Sequence, residues 1–159
     1  MPVAGPPWMT TASEVATMTF AREVLNVPAP RVLAWSSDAA SNAVGSAYII
    51  MEKIDGQILL DRWPLVTDGG DAATMLFEFA GIEKKFQRVP FSQIGSLYFK
   101  EDVSPELQDR PLFHAAACDL DDIFQAAAKR YRVGPISNRQ WWRGERASMR
   151  LDRGPCKYL

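Results

Sequence analysis

Apolar and polar positions alternate along the chain with two periods, one near that of a helix and one of two residues, and turn residues separate the stretches. Residues 46–51, SAYIIM, form an apolar run rich in residues that favour a pleated backbone, which predicts a buried strand. Glu52 ends the run, and Lys53, Ile54, Asp55 and Gly56 make a charged exit closed by a residue that tolerates positive φ. Upstream, Thr11, Ala12, Ser13 and Glu14 fit a capping box, which predicts a helix over residues 11–25. Val15, Met18, Ala21 and Leu25 share one face of it, with Thr17, Arg22 and Glu23 elsewhere around the wheel. Asn26 and Pro28 stop the helix, residues 27–30 are extended, and residues 31–35 read as a short strand. A polar turn over 36–44 then returns the chain, so two antiparallel strands beside one helix are expected.

Beyond Gly56, Ile58, Leu59 and Leu60 suggest one helical turn. Asp68, Gly69 and Gly70 read as a loop and Asp71 as the N-cap of a long helix. In it Met75, Phe79, Ile82 and Phe86 recur at helical spacing, Glu78, Glu83, Lys84 and Lys85 take the wet face, and Val89 and Pro90 end it. Residues 94–99, IGSLYF, are a strand in which Gly95 marks a bend or a close backbone approach. Residues 104–129 mix proline, charge and alanine and read as a loosely ordered insertion, with a short amphipathic helix over 119–131. Residues 131–135, YRVGP, are a brief strand, and Ser137 with Gln140 makes a second capping box opening a helix to about Leu151. Residues 1–8, rich in proline and glycine, are expected to be an extended tail.

At 159 residues with 47% hydrophobic content, the chain suits one globular domain. Its net charge of -1 gives no global basic field that would draw nucleic acid or an anionic membrane. Cys118 and Cys156 lie far apart and His114 is the sole histidine, which offers neither a zinc spacing nor a disulfide framework, so a reducing compartment is the expectation. No run approaches the roughly 20 apolar residues of a spanning helix, and the first residues lack the pattern of a cleavable leader.

The order TASEVATM, VPAPRVLAW, AYIIMEKIDG, IGSLYF, YRVGP, WWRGER and LDRGP resembles the fungal aminoglycoside-phosphotransferase-like family. Within it the chain is most similar to the mitochondrial proteins named for altered inheritance of mitochondria. The resemblance implies an α+β, partial protein-kinase-like fold: a small antiparallel sheet with a regulatory helix, a hinge, and the start of a helical lobe. Residues 1–56 would be the partial small lobe and hinge, and residues 57–159 the start of the large lobe. It also implies nucleotide-site roles. Glu14 matches the helix glutamate that pairs with a phosphate-holding lysine, although a capping box explains the same residue. Met51 matches the gatekeeper beside adenine, although a core methionine is the simpler reading. The carbonyl of Glu52 and the amide of Ile54 match the hinge hydrogen bonds.

The complete family uses ATP and Mg²⁺ on a small hydroxylated acceptor. A glycine-rich phosphate turn, a His-x-Asp loop and metal-binding carboxylates cannot be placed in this stretch, and His114 is followed by Ala115, Ala116 and Ala117. No catalytic residue and no metal ligand is therefore assigned, neither ATP nor Mg²⁺ is expected to be held tightly, and no phosphotransfer is expected from this chain alone. The resemblance implies a mitochondrial location; without it, the reading is cytoplasmic.

A second class of function is a non-catalytic binding or interaction module, contacting RNA through Arg139, Arg143, Arg146, Arg150 and Arg153 with Trp141 and Trp142. The first four arginines follow helical spacing, and Glu145 and Asp152 dilute their charge. A solvated stripe with Trp142 or Met149 inward is thus favoured over a nucleic-acid surface. A third reading is a truncated domain with an unpaired sheet edge and exposed apolar surface, dependent on a partner for solubility.

Overall fold

The computed structural model describes residues 6–115 and 121–157. Helix α1 (Pro7–Glu23) begins four residues before the predicted start, with Pro6 as N-cap and proline in its first turn, where a preset φ and a missing N–H cost nothing. The capping box at Thr11 and Glu14 therefore does not form: Thr11 is buried inside the helix, and Pro7 and Trp8 are helical rather than tail. Residues 1–5 of that expected tail lie outside the described residues. Val15, Ala21 and Leu25 are buried as predicted, and Met9, Ala12, Ala16 and Phe20 join them, so α1 is covered on more than one side. Asn26, at φ 48°, turns the chain out of the helix while the amides of Leu25 and Val27 close on the carbonyls of Phe20 and Ala21.

Strands β1 (Val32–Ser36) and β2 (Tyr48–Met51) form an antiparallel pair against α1. Val32 faces Met51, Ala34 faces Ile50, Trp35 faces Ile49 and Ser36 faces Tyr48, with an irregularity between Val32 and Ala34. Asn42 ties the connecting loop: its amide nitrogen donates to Ser36 Oγ and the Ser46 carbonyl, both at 3.0 Å, and its oxygen accepts from the amides of Val44 and Gly45. β2 is half open rather than buried, with Ile50 52% and Met51 41% exposed. A hairpin covered by one helix shields only one face.

After Gly56 come α2 (Leu59–Arg62), a 3₁₀ turn (Trp63–Leu65) and α3 (Gly69–Gln87). Asp68, not Asp71, caps α3, its carboxylate accepting from the amide of Gly70 at 2.9 Å, so both glycines lie inside the helix. The helical repeat is present, but Phe79 and Phe86 are exposed, as are Leu76 and Phe77. Residues Lys53–Val89 constitute one compact unit.

The other unit comprises Met1–Glu52 and Pro90–Leu159. The chain passes out of it at Glu52 and re-enters it at Pro90. Pro90–Leu159 thus forms one unit with Met1–Glu52. Strand β3 (Gln93–Ile94) is separated from β4 (Ser96–Phe99) at Gly95, where an added Cβ would lie 2.2 Å from the Gly134 carbonyl oxygen. The close approach read from the sequence is the reason for the break.

The stretch expected as a loose insertion is ordered where it is described. α4 (Pro105–Gln108) and α5 (Asp122–Arg130) bring Leu107 and Ala127 into the core, beside Val103, Leu112 and Phe113. Asp121 caps α5, accepting from the Phe124 amide, and Arg130 pairs with Glu23 of α1 at 2.5 Å. Residues 116–120, with Cys118 and the predicted start of that helix, lie outside the described residues. β5 (Tyr131–Gly134) pairs antiparallel with β4, Leu97 facing Val133 and Phe99 facing Tyr131, and β6 (Cys156–Lys157) pairs with β3.

α1 lies on β4, and Met9, Ala12, Tyr98, Val103 and Leu107 cluster there, with Trp35 and Trp142 packed against them. A line of rings, Trp35, Phe99, Tyr131, Phe20, Phe91, Phe113 and Phe124, runs through this unit with successive centroids 5.3–6.3 Å apart.

The helix predicted from Ser137 to Leu151 is not formed. Two 3₁₀ turns, Arg139–Trp141 and Gly144–Ala147, replace it, and Gly144, which opens the second, has φ +61°. Asn138 rather than Ser137 caps the first turn; the Ser137 amide instead donates to Ser96 Oγ at 2.9 Å.

Candidate functional site

The exit of β2 is where three elements converge. The Glu52 amide donates to the Arg31 carbonyl at 2.9 Å, prolonging the hairpin by one residue. Arg22, in the last turn of α1, donates through Nη1 to the Ala29 carbonyl at 2.5 Å and to Glu52 Oε1 at 3.3 Å. One guanidinium thus joins the helix, the proline-rich connection and the strand end. With side chains 41% and 33% exposed, the ion pair contributes at most about 1 kcal/mol, so its role is to fix geometry. The sequence pattern places Arg22 only away from the apolar face of the helix. The available signal was a long cation at a helix C-terminus, followed by a proline-interrupted segment whose carbonyls lack regular partners.

The predicted site residues fall as follows. Met51 ends β2 with its side chain 41% exposed. Among the described residues, the carbonyl oxygen of Glu52 and the amide of Ile54 take part in no hydrogen bond, and Ile54 is 55% exposed. Met51 and Glu52 belong to the first unit and Ile54 to the second. Glu14 is on the exposed side of α1 and joins no ion pair among the described residues. Eight residues before Arg22, it stands about 12 Å away along the helix axis and roughly 80° around it. The geometry therefore gathers Met51, Glu52 and Arg22, with Glu14 apart.

A second concentration of polar groups lies in residues 136–154. Arg153 stacks its guanidinium 3.9 Å from the Trp142 ring centroid and donates to the carbonyls of Trp141, Arg146 and Met149. Trp142 donates from its indole to the Ile136 carbonyl at 2.8 Å, and Arg146 donates to the Gln140 carbonyl. The segment is anchored to β4, where Tyr98 donates its hydroxyl to the Pro135 carbonyl at 2.8 Å. Burial pushes the Tyr98 phenol up to about 12, against the opposing effect of its Ser137 neighbour. Arg132 of β5 is buried among the carbonyls of Gln108, Ala128 and Tyr131, and loss of solvent lowers its pKa.

In the second unit, Gln57, Ile58, Asp61, Arg62 and Leu65 line an open concavity of about 360 Å³, with too few convergent polar groups to assign a ligand. Among the described residues, no three His, Cys, Asp or Glu side chains cluster as a metal would require. No described helix is long and apolar enough to cross a membrane.

No protein-family model matches the chain, and no solved structure matches it. It is 40% identical over 157 residues to a subtelomeric hrmA-associated cluster protein of Aspergillus fumigatus, covering 98% of this chain and 27% of that protein. It is 34% identical over 137 residues to altered inheritance of mitochondria protein 9, mitochondrial, of Komagataella phaffii, covering 82% of this chain and 21% of that protein. The corresponding protein of Candida tropicalis is 38% identical over 135 residues, covering 81% and 20%. None of these names states a kinase, transferase or ATP-binding activity. Both of these latter proteins are named as mitochondrial. The chain is thus related over most of its length to these fungal proteins, and it spans about a quarter or less of the length of the curated relatives it matches.

Proposed function

We propose that this chain is the hinge-bearing part of a kinase-like, nucleotide-binding module within a longer mitochondrial protein. The ligand is an adenine nucleotide. The observation that carries the reading is the Glu52 carbonyl, without a hydrogen bond among the described residues, at the β2 exit beside the half-exposed Met51; the family resemblance pairs it with the amide of Ile54. An adenine edge offers the matching donor and acceptor, and Met51 supplies a polarisable, adaptable surface for the ring. Arg22 holds Glu52 and so steadies the strand exit. Glu14, apart from this group, has no role in base recognition. In the whole protein the module would serve phosphoryl transfer from ATP with Mg²⁺ to a hydroxylated acceptor. No residue described in this chain is assigned to the transfer step.

Calorimetric titration with adenosine and with ATP tests the reading. Both are expected to bind weakly and to compete. Ile54→Pro removes the donor at an exposed residue outside any helix or strand, and is expected to weaken binding about tenfold or more. Absence of binding at millimolar adenosine, or binding indifferent to Ile54→Pro, would sink the proposal.

A further inference from the structure

We infer that the arginine-rich segment of residues 138–153 is a binding surface for a single-stranded polynucleotide. The helical stripe that would make these arginines an ordinary solvated face is absent, because the segment is two short turns broken at Gly144. Its arginines instead divide into two groups. Arg146 and Arg153 are spent internally on backbone carbonyls, and because one Arg153 side chain reaches the carbonyls of Trp141, Arg146 and Met149, the turns are drawn together. Arg139 in the first turn, Arg143 just before the second and Arg150 after it are exposed and without a carboxylate partner among the described residues.

Five arginines stand against Glu145 and Asp152, a net charge of +3 in a chain whose net charge is -1. The carboxylate of Asp152 is further occupied by the Gly154 amide. Cations spaced along the segment suit a ligand with repeated negative charges better than one compact anion. The indole of Trp141 is 40% exposed among them, while Trp142 is fixed underneath by Arg153 and Ile136. An exposed flat ring at Trp141, between Arg139 and Arg143 in the sequence, adds a stacking face that an acidic polypeptide would not use and a nucleobase would. The surface is preorganised, since the Ile136 amide donates to the Arg153 carbonyl and Ser137 is tied to Ser96 of β4.

The inference is independent of the nucleotide reading at β2. Fluorescence anisotropy with a labelled mixed-sequence RNA 12-mer, on the full chain, tests it. With about three phosphates neutralised, the log–log salt slope should be about -2, and raising salt from 50 to 200 mM should weaken binding roughly twentyfold. Replacing Arg139, Arg143 and Arg150 together by alanine should flatten that slope and cost at least about tenfold at 50 mM salt. The triple lysine variant should keep the slope, which separates charge loss from misfolding. Trp141→Leu should weaken binding several-fold at unchanged slope. No binding at 50 mM salt, binding unaltered in the alanine variant, or equal competition by polyglutamate with no effect of Trp141→Leu would overturn it.

Discussion

Tyr131 is among the most deeply packed side chains, 1% exposed, with its ring stacked on Phe99, edge-on to Phe20 and under the Arg130 guanidinium. Its buried hydroxyl has no hydrogen-bond partner among the described residues. Removing the hydroxyl relieves an uncompensated polar group, so Tyr131→Phe should raise unfolding stability by on the order of 1 kcal/mol in denaturant titration. A loss of that size would mean that the hydroxyl is bonded. Burial also pushes the Tyr131 phenol up to about 12, as it does that of Tyr98. A raised acid favours the folded state while the unfolded phenol, near 10, is still neutral. Stability is therefore full below pH 10 and falls as pH rises towards 12, and melting temperatures across that window should show a shallower fall in Tyr131→Phe. Gly95 belongs to the same scale. Gly95→Ala forces a Cβ against the Gly134 carbonyl and Val133 Cγ1, and should cost about 1–3 kcal/mol by the same titration. That close approach was legible, because glycine inside an apolar strand run has few other uses. The orphan hydroxyl was not, since its neighbours come from α1, β4 and α5.

At the scale of elements, local patterns located helices better than they located helix ends. Asp68 and Asp71 both precede the apolar repeat of α3, and only the carboxylate position distinguishes them. Asp68→Ala should lower helicity and stability by about 1 kcal/mol, read by circular dichroism, whereas Asp71→Ala should change either by only a few tenths. The Thr11 box failed for a related reason. A capping sequence is recognised by its residues, but Pro6 and Pro7 had already started the helix, leaving Thr11 in its interior. The predicted helix of residues 137–151 failed for a longer-range one. Arginine spacing suggested an amphipathic face, but Arg153, beyond its expected end, supplies donors to three of the segment's carbonyls, and Gly144 takes a left-handed turn that a helix forbids. The hairpin of β1 and β2 was readable because alternation and a polar turn are local. The exit of β2 was readable as a chain feature, but its Arg22 clasp was not, because Arg22 and Glu52 are 30 residues apart.

For the whole molecule, the grouping of residues is the part that sequence order concealed. Residues 90–159 return to the unit built on α1 because β4, β5 and the aromatic line need its apolar faces, and no local pattern announces such a partner. The chain spans about a quarter or less of the length of the curated relatives it matches, and the proposed base site is the strand exit where the Glu52 carbonyl lies beside Met51. The most direct measurement is the amide resonance of Ile54 in an isotope-labelled sample during titration with adenosine. Adenine binding at the strand exit should give a saturable downfield shift at Ile54, with smaller changes at Met51 and Lys53 and none in residues 138–153. An Ile54 resonance that stays still while adenosine binds elsewhere, or does not bind, would contradict it.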